Sequence, residues 1–247
     1  SVLSSYGVPP LATGIGMAFL TFVVIVGGIR RIGRVAGVVV PVMAGIYVLS
    51  ALVILVLHVG EIPAAFQLIV QDAFTGRAAA GGAVGVVIQK GIARGVFSNE
   101  AGLGTAPIAQ ASARPGDPVL QGAVAMLGTV IDTLIICTMT ALVIVISGRY
   151  MDSEQGVMLT KSAFDWALPG AGHLVSFATV TFTATTILGW SFYSERCLEF
   201  LAGVRPIRWF RLVWVAVVVI GATASFDVVW LIADILNGLM AIPNLLS

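Results

Sequence analysis

Long apolar stretches follow one another along this chain, separated by short polar connections. Seven such segments can be placed, at about 9–28, 37–57, 82–112, 118–148, 171–194, 210–226 and 228–247. A helix needs roughly 20 apolar residues to cross a bilayer. None of the segments shows the short alternating pattern of a transmembrane β-strand. The pattern therefore predicts an all-α integral membrane protein with about seven transmembrane helices.

Two connections between these segments are long enough for their structure to be predicted separately. Between the second and third segments, apolar residues recur at helical spacing with polar residues between them: Ile62, Phe66, Ile69, Val70 and Phe74. This pattern predicts a short helix lying on the membrane surface. The connection 149–170 carries several charged residues and predicts a plain solvated loop.

Composition agrees with a chain that lies in lipid. Hydrophobic residues make up 58% of it and charged residues only 10%, with a mean hydropathy of +1.03. A soluble domain carries about 25% charged residues, so this chain cannot supply a polar shell. Its net charge of +1 gives no reason to expect a nucleic-acid partner. We expect one transmembrane region over 1–247, with the lipid bilayer as its surroundings.

The positions of lysine and arginine predict the orientation, because cytoplasmic loops are enriched in them. One side of the predicted topology holds eight: Arg30, Arg31, Arg34, Arg114, Arg196, Arg205, Arg208 and Arg211. The opposite side holds three: Arg77, Arg149 and Lys161. This bias predicts that 29–36 and 195–209 are cytoplasmic and that residue 1 lies outside the cell.

The stretch "RGVFSNEAGLGTAP" gathers polar residues and glycines inside the third segment. Glycine and proline weaken a helix, and a broken helix is tolerated in a membrane where it lines a protected cavity. Oxygen-bearing side chains stand at Ser98, Asn99, Glu100 and Thr105, and such hard ligands suit Na⁺ or an ammonium group. The residues therefore predict a broken helix near 98–104 that builds a polar site.

Charges at Lys90, Arg94, Asp132 and Asp234 also fall within apolar segments. An ionisable residue in a span is costly and often functional. The alternative is that some of these charges pair with one another or lie at a span border.

A second candidate site lies in the fifth segment, in "TVTFTATTILGW". Thr186 and Trp190 are four residues apart and share a helix face, and Thr185 lies beside them. Together they could form the wall of a small amphiphilic pocket. Alternatively, the threonines bond to carbonyls of their own helix, which is common in membrane spans.

Four strings of this sequence resemble the sodium:alanine (and glycine) symporter family: "GGIRRIG", "GIARGVFSNEAGLGTAPIAQASA", "TTILGWSFYSERCLEFLAG" and "ADILNGLMAIPN". The resemblance covers nearly the whole chain, in order, and matches the later part of the family's sequence. It implies part of a LeuT-type fold, in which two inverted repeats bind solute at the membrane midplane. The interrupted third segment then corresponds to the first helix of the second repeat.

The resemblance also implies a function. The protein would be a symporter of the plasma membrane that imports small neutral amino acids, such as alanine and glycine, with Na⁺ as coupling ion and by alternating access. Implied substrate contacts are Phe97, Ser98, Asn99, Thr185, Thr186 and Trp190. Implied ion ligands are Ser98, Asn99, Glu100 and Thr105. Trp190 would cap a small side chain and exclude larger ones.

The early helix of the family, with its glycine-rich break, does not appear in this sequence. We therefore expect a fragment whose first repeat is largely missing, whose partner is the N-terminal half of the same protein, and which does not transport by itself. A passive ion or solute channel and a non-transporting fragment remain the alternatives. We expect no enzyme, because Asp132 and Asp234 lack the setting of a membrane aspartyl protease and no zinc-protease "HExxH" motif occurs.

Overall fold

A computed structural model describes residues 2–74, 91, 93, 95, 97–100, 102–112, 116–152 and 156–246. The start of the third predicted segment, with Lys90, lies outside the described residues, as do Arg77, Arg94 and Arg114.

The described residues form helices and their connections, without a strand. In chain order the helices are α1 (Pro10–Ile25), α2 (Gly28–Leu57), α3 (Ile62–Phe74), α4 (Ala106–Gln110), α5 (Pro118–Ile146), α6 (Val157–Ala167), α7 (Ala171–Ala202), α8 (Ile207–Thr223) and α9 (Phe226–Leu246). Short 3₁₀ turns occur at Val2–Tyr6, Val59–Glu61 and Arg149–Met151. Helix α5 changes to π-helical geometry over Val130–Cys137 and then returns to α-helix.

Four of the described helices are long and apolar enough to cross a bilayer: Gly28–Leu57, Pro118–Ile146, Ala171–Ala202 and Asp227–Leu246. Helix α1, Pro10–Ile25, is apolar but shorter. The prediction of an all-α integral membrane protein is therefore confirmed. The number of seven spans and the LeuT-type arrangement stay predictions.

The exposed surface of these helices is apolar. Large hydrophobic side chains are exposed on all six of the longer helices, among them Phe19, Leu49, Met126, Phe182, Val217 and Leu231. Small polar side chains, in contrast, are buried at Thr21, Ser50, Ser176 and Ser191. Because lipid replaces water around a membrane span, exposed apolar side chains are what such a surface requires.

The chain divides into two compact units, of which the first comprises Ser1–Tyr47 and Ala171–Ile232. Helix α1 packs along α8 and also contacts α7. The two helices approach closely at Gly14, where an added Cβ would lie 2.9 Å from the Cβ of Ala222. Small residues permit this close packing of membrane helices. The N-terminal turn is held to α7 by the Tyr6 hydroxyl, which lies 2.6 Å from His173 Nδ1.

The second unit comprises Val48–Gly170 and Ala233–Ser247. Its helices α3 and α6 both contact the last part of α5, Thr138–Ile146. The predicted helix after the second segment is confirmed as α3. Its side chains Phe66 and Val70 are exposed, as a face turned to lipid would be.

The solvated loop predicted over 149–170 is wrong, because α6 occupies Val157–Ala167. Ala163 and Phe164 of this helix are fully buried, each 0% exposed. Charged residues scattered along this connection concealed its short apolar face.

The cytoplasmic loops predicted at 29–36 and 195–209 are largely helical. Helix α2 begins at Gly28, so Arg30, Arg31 and Arg34 stand on its first turns. Helix α7 runs on to Ala202. Arginine is a good helix former, and its long side chain can carry its charge beyond the apolar zone. A basic stretch therefore does not have to end a membrane helix.

Candidate functional site

The helix that carries the polar stretch is interrupted where the sequence predicts it. The described positions 91, 93, 95 and 97–99 are helical, positions 100 and 102–105 are not, and α4 begins at Ala106. Three residues here adopt positive φ: Glu100 (57°), Gly102 (81°) and Gly104 (78°). Two of these residues are glycines, which adopt positive φ readily. The left-handed conformation of Glu100 is uncommon for a residue with a Cβ.

The helical side of the break is bonded to α5. Ser98 Oγ donates to Asp132 Oδ2 at 2.7 Å, and Asn99 Nδ2 donates to Thr133 Oγ1 at 3.0 Å. Both acceptors lie on the π-helical turn of α5. Two neighbouring residues at the break are therefore held by two neighbouring residues of one turn.

The irregular side of the break is held by Glu100. Its carboxylate accepts a hydrogen bond from Thr105 Oγ1 at 2.7 Å, and its carbonyl accepts one from the Leu103 amide at 3.2 Å. Thr105 and Leu103 are buried, at 2% and 4% exposure. Gly104 lies against α9, because an added Cβ there would be 3.1 Å from Asn244 Oδ1.

This arrangement concentrates oxygen atoms around an opened backbone. Ser98, Asn99, Glu100 and Thr105, the four predicted ion ligands, all lie within one eight-residue stretch. The helical segment ends there, and the carbonyl end of a helix carries partial negative charge. Oxygen ligands of this kind suit a hard cation such as Na⁺ or an ammonium group.

Sequence reasoning missed the role of α5 in this region. It identified Asp132 as a charge within a span but did not connect it to Ser98, and Thr133 was not considered. The only signal was an aspartate at span depth in "VIDT". A contact across 34 residues, such as Ser98 with Asp132, depends on tertiary packing.

The threonine face predicted on α7 belongs to the first unit. Thr185 Oγ1 donates to the carbonyls of Thr181 and Phe182, at 3.1 and 3.0 Å, which is the alternative considered for these threonines. Thr186 is exposed one turn before Trp190. Trp190 is half-buried and makes an edge contact with Tyr193, with ring centroids 5.9 Å apart.

The predicted substrate contacts are therefore divided between the units. Phe97, Ser98 and Asn99 belong to the second unit, and Thr185, Thr186 and Trp190 to the first. That they form one site stays a prediction.

Four of the described helices are long and apolar, and they expose the hydrophobic side chains that a lipid environment requires. A further helix is broken at a polar stretch. These features define a multi-pass membrane protein. A model of the sodium:alanine symporter family matches residues 1–247, and the chain belongs to this family.

Several curated proteins are similar to the chain. A sodium/alanine symporter of Methanococcus maripaludis is 47% identical over 251 residues, covering 100% of this chain and 55% of the relative. An uncharacterized transporter of Haemophilus influenzae is 44% identical, covering 98% of this chain and 55% of the relative. A probable sodium/glutamine symporter of Bacillus subtilis is 33% identical, covering 99% of this chain and 52% of the relative. The chain thus spans about half the length of these relatives.

Proposed function

We propose that the protein is a symporter that imports small neutral amino acids, such as alanine and glycine, together with Na⁺. Family membership supports a cation-coupled symporter, and two relatives carry sodium together with alanine or glutamine in their names. Among the structural features, the break between Asn99 and Ala106 carries the proposal. An opened helix in a membrane protein provides ion and solute ligands that a continuous helix keeps within its own hydrogen bonds.

In this proposal the break binds the cation and part of the solute. Ser98, Asn99, Glu100 and Thr105 supply oxygen ligands to Na⁺, and Phe97, Ser98 and Asn99 contact the amino acid. Thr185, Thr186 and Trp190 supply further contacts to the solute. Binding of both species then shifts the protein between outward-open and inward-open states, because each state is populated according to its affinity for them.

The experiment that tests this function is uptake of labelled alanine. The protein is expressed from its complete gene, because residues 1–247 alone are not expected to transport, and is then purified and reconstituted into vesicles with an inward Na⁺ gradient. We expect saturable accumulation above the external concentration, abolished when choline replaces Na⁺. Non-saturable flux that only equalises the two sides would instead identify a passive channel, and absence of any flux would contradict transport.

Trp190→Ala is expected to impair transport more than stability. A tryptophan in a pocket for a small solute supplies contact area and shape that alanine cannot. We expect the KM for alanine to rise by about tenfold, which corresponds to about 1.4 kcal/mol of lost binding. Uptake at varied alanine concentration measures the KM, and thermal denaturation in detergent measures stability.

Trp209→Ala is the matched control for this substitution, because Trp209 is 62% exposed at the start of α8. Its KM should remain that of the unsubstituted protein. Equal KM values for both variants would assign Trp190 to packing alone.

We further propose that the protein lies in the plasma membrane with residue 1 outside and with 29–36 and 195–209 on the cytoplasmic side. The arginine bias supports this orientation, since eight basic residues stand on one side and three on the other. A cysteine introduced at Arg205 should resist a membrane-impermeant maleimide in intact cells and react after permeabilisation. Reaction in intact cells would reverse the orientation.

A further inference from the structure

Three hydrogen bonds connect Ser98, Asn99 and Thr133 to the Asp132 carboxylate. Ser98 Oγ also lies 3.8 Å from Cys137 Sγ of α5, a contact in which either atom can donate. Asn99 Nδ2 donates to Thr133 Oγ1, and Thr133 Oγ1 donates to Asp132 Oδ2 at 3.4 Å. Ser98 Oγ donates to the same carboxylate oxygen at 2.7 Å. Asp132 is therefore the common acceptor at the end of the network.

This direction decides what the break offers to a ligand. A serine hydroxyl has one proton and two lone pairs. Because the proton of Ser98 is donated to Asp132, its oxygen can only accept or coordinate on its other side. The amide of Asn99 likewise donates through its nitrogen to Thr133. Both bonds to α5 therefore use the donor groups of these side chains, whereas a cation takes oxygen atoms as ligands.

The π-helical turn places these two acceptors side by side. Asp132 and Thr133 are consecutive, and so are Ser98 and Asn99. A π-helical turn holds more residues than an α-helical turn, so consecutive side chains diverge less around its axis. Turns of this kind are rare and frequently occur at functional sites.

Within the described residues, the contacts of Asp132 are hydrogen bonds. Among the residues that the structure describes, its carboxylate accepts hydrogen bonds from Ser98 and Thr133, and no lysine or arginine pairs with it. A carboxylate at span depth is costly to insert into a membrane. A structural hydroxyl contact alone would not require that charge.

We propose that Asp132 and Thr133 are positioning residues that fix Ser98 and Asn99 as cation-facing oxygen ligands at the break. This inference rests on the proposed function, since it assigns how that site is held in its binding geometry. It adds two residues of α5 to a site that the sequence placed on other segments.

The test compares four variants with the unsubstituted protein in Na⁺-gradient vesicles. Asp132→Ala and Thr133→Val remove the acceptors, and each is expected to raise the Na⁺ concentration for half-maximal uptake by about tenfold, as losing one such hydrogen bond at a site would. Asp132→Asn keeps an acceptor and should have a smaller effect. Thr133→Ser keeps the hydroxyl and should restore the original value.

Thr140→Val is the matched control, because the Thr140 hydroxyl donates to the Ile136 carbonyl of its own helix at 2.7 Å. Its Na⁺ dependence should not change. A Na⁺ dependence in Asp132→Ala and Thr133→Val within twofold of the original would overturn the inference, as would an equal shift in Thr140→Val.

A second measurement does not depend on transport. Hydrogen exchange of the backbone amides at 97–105, in nanodiscs, should be faster in Asp132→Ala and Thr133→Val than in Thr140→Val. If the unsubstituted protein shows no Na⁺-dependent uptake, the proposed function fails, and this comparison alone decides the inference. Unchanged exchange at 97–105 would then overturn it.

Discussion

Replacing Arg211 with alanine is expected to lower the free energy of unfolding by about 3–5 kcal/mol, the usual cost of breaking a buried ion pair from one side. Arg211 of α8 bonds Glu195 of α7 through both carboxylate oxygens, at 2.7 and 2.9 Å. Glu195 is only 3% exposed. Without the guanidinium, its carboxylate stays buried with neither water nor a cation to stabilise it.

Substitutions of the two partners of this ion pair should lower the stability by different amounts. The Arg211 side chain keeps 26% of its surface exposed, whereas that of Glu195 keeps 4%. After Glu195→Gln, the guanidinium can reach water and can still donate to the amide oxygen. We therefore expect Glu195→Gln to be the milder substitution. Thermal or denaturant unfolding in a fixed detergent would measure both.

Arg196→Ala is the matched control on the same helix. Arg196 pairs with Glu199 three residues on, and both side chains are at least one-third exposed. Exposed pairs contribute about 0–1 kcal/mol, so this variant should denature close to the unsubstituted protein. Equal stability of Arg211→Ala and Arg196→Ala would show that the buried pair contributes nothing beyond a surface contact.

Gly104→Ala is expected to reduce amino-acid uptake by at least about tenfold. Gly104 has φ of +78°, where a residue with a Cβ costs about 1–2 kcal/mol. Its added Cβ would also lie 3.1 Å from Asn244 Oδ1, so either the Asn244 side chain or the break must shift slightly. A displacement at the break changes the geometry of the proposed ion ligands, and about 1.4 kcal/mol already corresponds to tenfold in rate.

Two other glycines separate backbone strain from close contact. Gly102 has φ of +81°, but an added Cβ there meets nothing within 4 Å. Gly102→Ala should therefore carry the conformational cost alone and keep more uptake than Gly104→Ala. Gly95 is helical and open, so Gly95→Ala should change little. Equal uptake by the Gly104→Ala and Gly102→Ala variants would show that the contact with Asn244 does not contribute to the loss.

Much of the helical architecture was predictable because hydropathy acts over long stretches. Bilayer thickness demands about 20 apolar residues in a row, and segments such as 37–57 and 171–194 lie within helices Gly28–Leu57 and Ala171–Ala202. Helix ends were less predictable. They depend on local propensity and on how far arginine side chains extend, and α2 therefore begins before its arginines.

The break at 100–105 was also predictable from the sequence. Glycines at 102 and 104 beside a polar stretch weaken a helix whatever surrounds them, because the cause is local to the backbone. Helix α6 was not recognised, because charged residues are scattered along its connection and the linear pattern does not show that Ala163 and Phe164 are buried. Burial is a property of the neighbours that cover a side chain, and a linear pattern does not contain them.

By itself, the sequence determined the membrane environment, the helical class and the position of the interruption, because each follows from residues close together in the chain. Only the tertiary structure decided that Ser98 and Asn99 meet Asp132 and Thr133, and that Glu195 meets Arg211. These contacts join separate helices. Their geometry depends on packing and on the π-helical turn of α5, so nothing in the linear order of the residues specifies them.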